Sequence, residues 1–198
     1  MGAILVAVVI LDNAKACVDW GESDQACIRE LAGWFSADRS AVIDALQSQL
    51  VYFKHMQVLM LNTRFVDILY RVLCDWMDGL LLADYAESYV EHRVQMVQRL
   101  AGLDLALADI ILLGDLVRRE LFALARERLG NDAVAISAMQ EVIDKSISLD
   151  MVVVCDIYQQ MHDEEIEKAL LDHFLSVTGF SRSLYENLTV FQELGFSG

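Results

Sequence analysis

The 198-residue chain is 56% hydrophobic and has no proline, a length that allows one large domain or one domain with an appendage. Its formal charge of −15 sets it against nucleic acid and anionic lipid as partners. Mean hydropathy is +0.37, yet the longest unbroken apolar run, Ala3 to Leu11, has nine residues, about half of what a membrane-spanning helix needs.

That run lacks a basic flank and a small-residue cleavage site. Val6 stands where a myristoylation signal takes Ser or Thr. A cytoplasmic protein without membrane insertion is expected. Cys17, Cys27, Cys74 and Cys155 show no CxxC spacing, which points to reduced thiols and away from structural zinc.

Few glycines and no proline predict long helices with few sharp turns. The run Ala3 to Leu11 reads as an N-terminal helix tucked against the rest. Glu22-Ser-Asp-Gln opens a helix to about Phe35, and Ser36-Ala-Asp38 opens a second to about Phe53. Asn62 to Leu82 carries an apolar stripe of Phe65, Ile68, Leu69, Val72, Leu73 and Trp76. Ala83-Asp84 starts a fourth helix to about Leu100, and Asp104 a fifth to Leu129, with Gly130 at its C-cap.

From Asp132 the series Met139, Ile143, Ile147, Met151, Val154, Tyr158 and Met161 steps by three or four residues. Val142, Leu149, Val152 and Val153 add a second apolar face, so this helix is expected to pack on its own domain and on a partner. It stops near Thr178–Gly179. Ser183-x-x-Glu186 then forms a capping box for a short helix carrying Leu184, Leu188, Phe191 and Leu194. The expected organisation is all-α: residues 1–19 packed on the core, a domain over 20–162, and a helical extension over 163–198.

Catalytic signatures are missing. No glycine-rich phosphate loop or GxSxG motif is present. The residues three before His55, His92, His162 and His173 are Tyr52, Tyr89, Gln159 and Leu170, so no ExxH pair can build a di-iron site. His162-Asp-Glu-Glu165 with Glu167 reads as a solvated charged face, so no metal is expected.

One stretch carries more. Tyr89-Val-Glu-His-Arg93, then Leu100 to Leu107, then Val117-Arg-Arg-Glu-Leu121 resembles the F-to-G helix region of the bacterial globin-coupled sensors, or protoglobin-like domains. Gly21-Glu-Ser-Asp is similar to that family's first-helix start and Gly130-Asn-Asp to its last interhelical corner. The resemblance spans Trp20 to about His162. It implies a globin-like sensor fold whose two long C-terminal helices pair two subunits as a bundle.

In that family a haem-binding His follows the Tyr by eleven residues. Here that position is Leu100, or Gln98 if Gly102 sets the register, and neither ligates iron as imidazole does. His92 lies eight residues before Leu100, about 80° off its helix face. No Tyr stands near Ala45-Leu-Gln-Ser on the distal side. The resemblance therefore implies a non-haem member, similar to stressosome regulators: a cytoplasmic, homodimeric, non-catalytic stress-response module that acts on a downstream signalling protein.

Two alternatives follow from the same residues. One is a protein holding a fatty acid or similar apolar ligand in a pocket at Leu46, Phe53, Leu69 and Leu100; the other is a haem gas sensor with an atypical ligand. The same apolar residues also suit a core simply filled by side chains. The dimer seam is expected at Met139, Ile143, Val153 and Tyr158, with Arg118 and Arg119 pairing across it.

Overall fold

The computed structural model describes residues 2–82, 84–103 and 105–178, and among them every element is a helix. By packing, the chain divides into Met1–Tyr158 and Gln159–Gly198. In the second unit, residues 159–178 are helical and none of them is buried. The short helix expected around Leu184 to Leu194 lies outside the described residues.

The first helix, α1 (Gly2–Cys17), takes up the apolar run and packs on α5 through the fully buried Ala7 and Leu11. Next, α2 (Glu22–Leu50) merges the two helices expected on either side of Ser36. The break survives as a kink, because Asp38 leaves helical geometry at φ −113° and ψ 17°. A short α3 (Lys54–Leu59), which the sequence pattern does not single out, follows Phe53.

Asn62 caps α4 (Thr63–Leu80), its side chain accepting from the Arg64 and Phe65 amides. The stripe then buries Phe65, Leu69, Val72, Leu73 and Trp76, each such side chain contributing about 1.5–3 kcal/mol. At the head of α5 (Glu87–Ala101) the start falls later than Ala83-Asp84, because the Asp84 carboxylate accepts from the Ala86 amide and holds the chain in a turn. Asp109 accepts from the Ala106 amide at the start of α6 (Leu107–Leu129), which ends at Gly130 with φ +60°.

Asp132 opens α7 (Ala133–Thr178) by accepting from the Val134 and Ala135 amides. Inside the first unit, α2 packs on α4 and α6, while α4 packs on α5. The α7 residues from Met139 to Ile157 run through the middle of this arrangement, buried on most of their circumference. Neighbouring helices of the same chain thus cover the second apolar face at Val142, Leu149 and Val153, while Val152 stays exposed.

Among the described residues no helix is long and apolar enough to cross a membrane. The Asn62 cap gives a direct check on the account of α4. Asn62→Ala is expected to lower stability by about 0.5–2 kcal/mol in urea unfolding, and Asn62→Asp by much less.

Candidate functional site

At the middle of the first unit, four polar side chains from three helices meet where the sequence is otherwise apolar. Asp150 of α7 is fully buried, as are Trp76 of α4 and, to within 2%, Tyr89 and Arg93 of α5. One carboxylate oxygen, Oδ1, accepts from Arg93 Nε at 2.5 Å and from the Tyr89 hydroxyl. The other, Oδ2, accepts from Trp76 Nε1 at 2.6 Å. A carboxylate accepting this many donors stands in place of its lost hydration.

The guanidinium ties α4 to α5 directly. Its Nη2 donates to the Trp76 carbonyl at 3.2 Å, and it lies over the Tyr89 ring at 4.7 Å from the centroid. Gly79 makes room for it: a Cβ added there would stand 2.7 Å from Nη1. Burial pulls the Arg93 guanidinium down, but the facing Asp150 carboxylate and Tyr89 more than offset this, so it stays above its ordinary value. Burial likewise pushes the Tyr89 phenol well up, so it remains a donor.

The cluster extends toward the α4–α5 turn. Tyr85 Oη lies 2.5 Å from Ser146 Oγ of α7 and donates to the Leu80 carbonyl at 3.3 Å. The Tyr85 ring meets that of Tyr89 edge-on at 4.7 Å. Because the central groups are sealed from water, the arrangement suits the setting of helix positions.

The residues expected to form an apolar pocket fall mainly in the core. Leu46, Leu69 and Leu100 have no exposed surface, while Phe53 is half-buried. Phe53 lines a void with Leu50, Met56, Leu105 and Leu113 of about 10 Å³, room for one water at most. Gln98 is exposed. His92 is exposed on the outer side of α5, in an open groove of about 340 Å³ with Asp75, Asp78, Met96 and Arg99.

The expected seam needs correction. Met139, Ile143 and Val153 are buried inside the single chain, so they offer no surface to a second one. Tyr158 is half-buried and donates to the Leu105 carbonyl at 3.2 Å. Arg118 pairs with Asp115 and Asp144 of its own chain, and Glu120 accepts from Gln49. Such partly exposed pairs contribute about 0–1 kcal/mol. Arg119 is exposed.

Tyr89 and Arg93 stand in the motif that carries the family resemblance, but the sequence reading assigned the Asp150 cluster no role. A signal was present: Ser146 and Asp150 are one helical turn apart on an otherwise apolar face of α7. Among the described residues no group of His, Cys, Asp or Glu is placed to hold a metal ion, and His162, Glu165 and Glu167 are exposed.

Removing one partner of a buried ion pair strands the other. Asp150→Ala is therefore expected to destabilise the chain by about 3–5 kcal/mol. The joint replacement Arg93→Met with Asp150→Leu should recover only part of that loss in chemical unfolding, because the buried Trp76 Nε1–H and Tyr89 hydroxyl still lack their acceptor.

No curated protein matches the chain. The family model described as Protoglobin matches residues 10–164, from within α1 to beyond the buried part of α7. Joined to the all-helical architecture, that match shows that the chain belongs to the protoglobin family.

Proposed function

We propose that the chain is a non-catalytic regulatory module that works without haem, as a cytoplasmic homodimer handing its state to a downstream signalling protein. The observation that carries this reading is the filled interior between α4 and α5. Trp76, Arg93 and Asp150 occupy the crossing of α4, α5 and α7. The opening that α4 and α5 do line, about 340 Å³, is a solvent-open groove bordered mostly by charged and polar side chains such as Asp75, Asp78, His92 and Arg99. The void lined by Phe53 on the α2–α6 side holds only about 10 Å³, whereas pockets for ligands of even modest size run to about 300 Å³ or more.

The residues present do not fit a haem. The buried face of α5 carries Tyr89, Val90, Arg93, Met96, Val97 and Leu100. Its Tyr hydroxyl is engaged by Asp150 and its Met sulfur faces the Arg93 guanidinium. His92 points to the outer groove instead. A non-catalytic role is supported by the sealing of the charged cluster, which leaves Asp150 and Arg93 no surface at which to meet a substrate.

Dimerisation rests on surface left over after the chain has folded. Ile111 and Leu112 of α6 and Val152 of α7 are each more than two-fifths exposed. A standard interface buries about 800 Å² per partner, of which these side chains would form the apolar part.

Two measurements test the reading. The 198-residue chain made with excess haem should show no Soret absorption; a stoichiometric band lost on His92→Ala would replace this reading with a gas sensor. In sedimentation velocity at micromolar concentration the chain should run as a dimer and Ile111→Glu as a monomer. A wild-type monomer at near-millimolar concentration would refute the assembly.

A further inference from the structure

The residue that links the N-terminal helix to the buried cluster is also under backbone strain. Tyr85 has φ +36°, a left-handed conformation that a bulky aromatic side chain rarely adopts. Strain of this kind persists only where the surroundings over-determine it, and it concentrates at switch regions.

Those surroundings come from two directions. From the α1 side, Lys15 Nζ reaches across to donate to the Tyr85 carbonyl at 2.5 Å, and Trp20, just past α1, meets the Tyr85 ring edge-on at 5.0 Å. On the α7 side, Tyr85 Oη sits 2.5 Å from Ser146 Oγ, one helical turn before Asp150. The Tyr85 ring also supports that of Tyr89, whose hydroxyl is bonded to Asp150. The contacts of α1 therefore end, through one strained residue, on the carboxylate that joins α4, α5 and α7.

We propose that α1 is a releasable strap whose docking on α5 sets the packing of α7 through Tyr85. With α1 docked, Lys15 and Trp20 hold the Tyr85 backbone left-handed and its hydroxyl on Ser146. With α1 lifted, the Tyr85 carbonyl loses its donor, the backbone relaxes toward an extended conformation, and the hydroxyl leaves Ser146. An input acting on α1 is thereby converted into a change along α7. This deepens the regulatory reading above and rests on it for biological use. It does not depend on whether haem binds, so the absorption spectrum and the test below fail independently.

Hydrogen exchange on the full chain, read by mass spectrometry, tests it with two mild variants. Lys15→Met keeps the aliphatic stem and removes the donor; Tyr85→Phe keeps the ring and removes the hydroxyl. Each is expected to speed amide exchange around Ser146 to Asp150 by roughly tenfold, with helix content by circular dichroism unchanged. The double variant should exchange about as fast as the faster single one, because both lie on one route. The strap is overturned if Lys15→Met accelerates exchange in α1 alone, or changes α7 by less than about threefold. It is equally overturned if the two accelerations multiply in the double variant, which would make the sites independent.

Discussion

The carboxylate of Asp150 is the constraint on which the rest of the first unit depends. It sits in the apolar middle of the bundle, where an unpaired charge would cost several kcal/mol, so its neighbours must supply donors. Trp76, Tyr89 and Arg93 do so from two other helices. Those bonds fix the height and rotation of α4 and α5 against α7 more narrowly than apolar contacts could, since apolar packing tolerates shape-conserving rearrangement. The absent Cβ at Gly79 belongs to the same solution: the guanidinium needs the space a methyl group would take.

This arrangement gives a consistent picture of how the family fold is used here. The side chains that close the interior and those that hold α7 are the same ones. On the proposed reading, small movements are passed on through these side chains when something acts on the periphery of the cluster. Tyr85, strained and held from α1, is the peripheral point with the most direct line to it.

Much of the architecture was legible from residue spacing alone. The stripe in α4, the Gly130 cap and the start of α7 at Asp132 follow from local rules, because each depends on residues within a turn or two of one another. The kink at Asp38 was legible as a break but not as a continuous helix, since its direction is decided by what α2 packs against. The placing of Met139, Ile143 and Val153 at a seam differs from their position in the fold for a related reason. Two apolar faces at Met139, Ile143 and Val153 say that a helix must be covered on both sides, not by which chain, and here neighbours in the same chain cover them. The polar cluster was half visible: Tyr89 and Arg93 stood in a motif, whereas Asp150 lies 57 residues from Arg93, and only the fold brings them together.

Asp150 joins α4, α5 and α7 through bonds that can be watched one by one. The most direct measurement is nitrogen-15 NMR of the side-chain Arg93 Nε–H and Trp76 Nε1–H groups in the full chain, with and without equimolar haemin. Two slowly exchanging signals are expected at neutral pH, assignable by their loss in Arg93→Lys and Trp76→Phe, that neither shift nor broaden when haemin is added. Fast exchange in the free protein, or a stoichiometric loss of both signals on adding haemin, would contradict this arrangement.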